Sequence, residues 1–146
     1  MIKKESRFMF TKTAQMHLVI NANKLIKDVQ QEFTSAFPYL KIEFFRNGEV
    51  RKDRYPATML IAQNRSLKDA WSRKKEEGEL DIPDTLTVGE LENLFMDRFG
   101  LSVQVFRRSG NLWLETTMTD NWTLKQQNDH GKEISASYTN EKKGLD

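Results

Sequence analysis

The chain contains no cysteine, and that absence removes disulfide bonds, a thiolate nucleophile and cysteine-held metals from consideration. Histidine is scarce: His17 and His130 are the two imidazoles, and they show no spacing of one helical turn such as a helix-borne metal pair needs. No glycine-rich loop is present to cradle a phosphate, since Gly48, Gly89, Gly100 and Gly110 all fall where a turn or a helix end accounts for them. Ser6, Ser35, Ser66 and Ser72 lack the strand-turn-helix setting of an activated nucleophile. Charge of one sign is missing too. With 23 Lys and Arg against 21 Asp and Glu the net charge is +2, which weakens a case for nucleic-acid or membrane binding built on bulk charge. No apolar run approaches the length needed to cross a bilayer, and Glu5-Ser6-Arg7 interrupt the basic start before a signal-like segment develops, so a cytoplasmic protein is expected. No enzyme, cofactor or metal is expected from this inventory.

What is present is a folding composition, 38% hydrophobic with nine Phe and three Trp, arranged with an internal correspondence. The stripe Ile26, Val29, Phe33, Phe37 recurs as Val88, Leu91, Phe95, Phe99 in the same helical phase. Behind each stripe comes a strand, Leu40-Ile42-Phe44-Phe45-Arg46 and Leu101-Val103-Val105-Phe106-Arg107. Further on, Asn64-Arg65-Ser66-Leu67-Lys68 answers to Asn121-Trp122-Thr123-Leu124-Lys125. The offset narrows from 61 at Leu40/Leu101 to 57 at Leu67/Leu124, placing an insertion in the first hairpin loop.

These matches predict an α+β fold of two tandem helix-strand-strand-helix repeats, with an antiparallel sheet covered by helices on one face and a pseudo-twofold between the units. The expected boundaries are an N-terminal arm over 1–14, a first repeat over 15–79, a linker over 80–86, a second repeat over 87–138 and a frayed tail over 139–146. Asn21 or Asn23 is read as the cap of the first helix, with Pro38 discouraging its continuation. Thr87 with Glu90 and Thr123 with Gln126 read as capping boxes, and Gly78 and Gly131 as helix stops. Asn47-Gly48 and Ser109-Gly110 read as hairpin turns.

The segment Thr87-Val88-Gly89-Glu90-Leu91 through Phe99-Gly100-Leu101, with Gln104-Val105-Phe106 and Asn121-Trp122-Thr123-Leu124, resembles an uncharacterised family of small bacterial α/β proteins. The likeness covers about the last sixty residues directly and the first half through the internal correspondence. It implies a bacterial, cytoplasmic, stand-alone protein and carries no catalytic residue.

A Ser109-Gly110 turn would set Phe106 opposite Trp113 on the sheet surface away from the helices, with Phe45 in the matching place of the first unit. Arg46, Arg51, Arg54, Arg107 and Arg108 lie about the hairpin ends. The candidate binding surface is therefore Phe45, Arg46, Phe106, Arg107, Arg108 and Trp113. Aromatics beside arginines on an open sheet can stack single-stranded bases. Packing of the two repeated sheets against each other or against a second copy of the chain, or docking of a protein partner, explains the same residues with fewer assumptions, and mixed charge supports it. A non-enzymatic binding protein that docks a protein partner or a second subunit through the sheet face is the leading expectation, a nucleic-acid-binding module the alternative. No membrane association is expected.

Overall fold

A computed structural model of the chain describes residues 15–46, 57–71 and 76–145, with side chains over 15–46, 58–71 and 76–138. The expected N-terminal arm, the Asn47-Gly48 turn, Arg51 and Arg54 lie outside these residues.

Met16, Leu18 and Ile20 alternate with Gln15, His17 and Val19, and this period-two pattern becomes strand β1 (Gln15–Ile20), with its apolar residues turned inward. Helix α1 (Ile26–Ala36) follows and buries Ile26, Val29 and Phe33. Its cap is not an asparagine side chain. The flanking residue is Leu25, and the first free N–H groups, of Ile26 and Lys27, donate to the carbonyls of Arg65 and Gln63 at 2.9 Å each. Strand β2 (Leu40–Phe45) completes the first run.

Strand β3 (Gly78–Pro83) then pairs antiparallel with β1. The segment expected as a linker, 80–86, thus contributes much of a strand, because Leu80 and Ile82 face inward while Glu79 and Asp81 face out. Gly78 opens this strand and stops no helix. Helix α2 (Val88–Leu94) starts on the expected box, Glu90 N–H donating to Thr87 Oγ1 at 3.1 Å and Thr87 N–H to Glu90 Oε1 at 2.9 Å. It runs on into a wider turn over Phe95–Phe99 and closes at Gly100, whose φ of 70° lies in the left-handed region that favours glycine.

Strand β4 (Ser102–Ser109), strand β5 (Leu112–Glu115) and helix α3 (Leu124–Leu145) finish the fold. The Thr123 box is present, Gln126 N–H to Thr123 Oγ1 at 3.1 Å and Thr123 N–H to Gln126 Oε1 at 2.8 Å. The helix does not stop at Gly131. A Cβ there would come within 2.9 Å of Tyr39 Cβ and 3.2 Å of the Arg108 carbonyl, so the glycine allows α3 to lie directly on the strands. The backbone stays helical through 139–145, where a frayed tail was expected.

The protein is α+β, with helices and two antiparallel sheets, β1-β3 and β2-β4-β5. Leu18 stands opposite Leu80 in the first, and Glu43 opposite Gln104 in the second. The second pair joins positions that the sequence correspondence equates, and the first is separated by the same 62 residues as Ile26 and Val88. The connections around the helix starts also match: Ile26 N–H to Arg65 O and Leu67 N–H to Lys24 O in the first half, Val88 N–H to Trp122 O and Leu124 N–H to Leu86 O in the second. The halves differ in content. Described residues 57–71 hold neither a hairpin strand nor an α-helix; a bridge between Phe45 and Leu60 and a single tight turn at Leu67–Asp69 stand in those places. One core serves both halves, and the rings of Phe44 and Phe95 meet edge-on at 6.1 Å within it.

Candidate docking surface on the three-stranded sheet

Strands β4 and β5 are joined by a turn at Gly110-Asn111, one residue later than expected, with Ser109 opposite Leu112. Gly110 has φ of 66°, and a two-residue hairpin requires that conformation at its first central position. Ser109 is spared it. The shift places Arg108 opposite Trp113, and Glu115 opposite Phe106. Phe106 and Trp113 therefore share a face as diagonal neighbours and are not a directly opposed pair.

A residue that the sequence reading passed over joins them. Lys41 on β2 stands opposite Phe106, and its ammonium lies 5.6 Å from the Phe106 ring and 5.2 Å from the Trp113 ring. The Arg108 guanidinium lies 5.5 Å from Trp113, with its Nε donating to the Gly110 carbonyl at 2.8 Å. Glu43 sits beside Lys41 at 3.1 Å and accepts from Gln30 Nε2 at 2.9 Å. A groove of about 530 Å³ runs between α1 and this face, with Lys27, Gln30, Thr34, Lys41, Glu43 and Trp113 among its lining. The floor of the groove is secured where Thr34 and Gln30 donate to the Leu40 and Ile42 carbonyls.

Of the six residues expected at the surface, Phe106, Arg108 and Trp113 come together. Arg107 projects from the opposite face, under α3, where its Nη1 donates to Gln127 Oε1 at 2.7 Å and its guanidinium lies 5.8 Å from Trp122. Burial there holds the group below the ordinary arginine range. Phe45 is 3% exposed, held at the far end of the sheet by its bridge to Leu60, and belongs to no accessible surface. Arg46 is exposed just beyond β2, at that same far end.

Large apolar side chains gather around β5. Leu112 is 60% exposed, Leu114 40% and Met118 94%, and among the described residues only Val19 and Leu60 join them as exposed large hydrophobics.

His17 is held across the first sheet between two carboxylates, Nδ1 at 2.7 Å from Asp81 and Nε2 at 3.0 Å from Glu79. The hydrogen bond to Asp81 raises its pKa. The His130 ring meets Trp122 edge-on at 5.5 Å. Among the described residues no three His, Asp or Glu side chains are placed to hold a metal ion. Glu92 is half-buried on α2 and accepts the Val105 N–H at 3.1 Å; desolvation pushes its pKa up to about 7, with nearby Asp120 adding to the rise. Among the described residues no helix is long and apolar enough to cross a membrane.

The chain matches no known protein family, no curated protein and no solved structure.

Proposed function

We propose that this chain is a non-enzymatic cytoplasmic docking protein that binds another protein chain at the β5 side of its three-stranded sheet. The observation that carries the reading is the gathering of Leu112, Leu114 and Met118 in one short stretch beside Trp113. Exposed apolar side chains scattered singly are ordinary, whereas a group on one sheet margin marks a contact surface. The polar setting favours protein over nucleic acid. Lys41 and Arg108 already occupy positions over the aromatic rings, so bases find no open stacking platform, and Glu43 and Glu115 share the face with those cations. We also read the two halves as copies of one unit, a reading supported by the matched hydrogen bonds at the helix starts and by the facing Leu18/Leu80 and Glu43/Gln104 pairs.

The test is the double substitution Phe106→Ser with Trp113→Ser, followed by mass in solution, thermal melting and polarisation of a labelled single-stranded oligonucleotide. The expected wild type associates beyond its 17.1 kDa, the variant keeps its fold and loses association, and neither binds the oligonucleotide. A wild type that stays at one chain and binds the oligonucleotide through these residues would overturn the reading in favour of nucleic acid.

A further inference from the structure

The outer margin of β5 is self-complementary, and its geometry specifies how a second copy would seat. Arg108 N–H donates to the Tyr39 carbonyl at 2.9 Å, on the β2 side of β4. The backbone groups of Arg108 therefore turn away from β5, which makes Arg108 and Trp113 a pair without mutual hydrogen bonds. By the alternation of an antiparallel strand, the N–H and C=O of Trp113 point outward, beyond the last strand of the sheet among the described residues. The stretch Leu112-Trp113-Leu114 reads the same in both directions.

We propose that two copies of this chain pair antiparallel through β5, about a twofold axis at Trp113, to join their three-stranded sheets into one. This deepens the docking reading and rests on it. In this register the two Trp113 residues exchange both backbone hydrogen bonds, and Leu112 of each copy lies opposite Leu114 of the other, on a shared face. Sliding the pairing by two residues one way would set Leu112 against Thr116, which is buried with its hydroxyl committed to the Val105 carbonyl, and would leave a single Leu114–Leu114 contact in place of two Leu112–Leu114 contacts; sliding it the other way would leave a single Leu112–Leu112 contact. Charge complementarity favours the same register. Glu115 of the second copy comes opposite Asn111, at the end of the hairpin where the Arg108 guanidinium is held on the Gly110 carbonyl. The like-charged Glu115 residues stand at opposite ends of the seam. A seam this short supports a weak dimer whose population follows concentration.

Two experiments test this. Leu112→Lys with Leu114→Lys changes only exposed side chains, so the melting transition should hold while sedimentation falls from the dimer mass to 17.1 kDa. The natural chain has no cysteine, so register can be read by mixing an Asn111→Cys chain with a Glu115→Cys chain under mild oxidation. The expected product is the mixed disulfide, well in excess of either homodisulfide. A wild type that associates but gives no preference for the mixed disulfide overturns this register while leaving the docking reading in place. A wild type that stays at one chain even at high concentration overturns the self-pairing and leaves the docking reading to a partner of different sequence.

Discussion

Replacing Glu92 by Gln should stabilise this protein near neutral pH and do nothing in acid. Glu92 is half-buried against the sheet, holds one hydrogen bond from Val105 N–H, and has its pKa raised from an ordinary 4.5 to about 7. A raised carboxyl pKa means that the folded state keeps its proton where the unfolded chain has already released it. The associated stability is fully present below about pH 4.5, falls as pH rises toward 7, and is gone above that. At about 1.4 kcal/mol for each pKa unit, the loss across this window is about 3 kcal/mol. Glutamine keeps a carbonyl for Val105 N–H and carries no charge to desolvate. Gln30, which follows Val29 on α1 as Glu92 follows Leu91 on α2, already is an amide and bonds the Ile42 carbonyl. Urea unfolding of both proteins from about pH 4 to about pH 8 gives a difference curve in which the other titrating groups cancel. The variant should gain with rising pH, reaching about 1–3 kcal/mol in its favour on the alkaline side. A difference independent of pH, or one favouring Glu at about pH 8, would refute the argument that desolvation governs this carboxyl.

Phe95 is fully buried between Phe44 and Phe99, with ring centroids at 6.1 and 6.2 Å, so Phe95→Ala should cost about 3–5 kcal/mol in denaturant melting. Gly131→Ala should destabilise by about 1–3 kcal/mol despite alanine's better helix propensity, because the added Cβ meets Tyr39 Cβ at 2.9 Å and Arg107 Cγ at 3.1 Å; an increase in thermal stability would contradict that close packing. His17 should titrate above 6.5 by NMR, chiefly through its hydrogen bond to Asp81, and the shift should shrink in Asp81→Asn. The small stabilisation tied to that proton is present below the unfolded pKa and is lost as pH rises through the folded one.

The parts of the fold that were legible in the sequence are those where one periodic signal decides. The stripes through Phe33 and Phe95 gave both helices because a face that repeats at helical spacing must be buried, and the Thr87 and Thr123 boxes marked helix starts through side chains close in sequence. Strand β3 was hidden by Asp81, Pro83 and Asp84, which resemble a solvated connection until pairing with β1 is known. Gly131 misled because a helix stop and a close approach between helix and strand call for the same residue, and the contacts that distinguish them come from Tyr39 and Arg108, distant in sequence. At the candidate surface the aromatics Phe106 and Trp113 were visible from alternation. Lys41 was not, since its place beside them depends on the β2–β4 register, which no local pattern encodes. The same limit put Phe45 and Arg107 in the expected site, although one lies in the core and the other beneath α3.

One backbone amide tests the central claim most directly. The Trp113 N–H points out of the sheet margin, so hydrogen exchange at this position reports whether another strand covers it. The account predicts that Trp113 exchanges slowly at high protein concentration, and rapidly both on dilution and in the Leu112→Lys, Leu114→Lys variant. Fast exchange at every concentration, identical in wild type and variant, would contradict it.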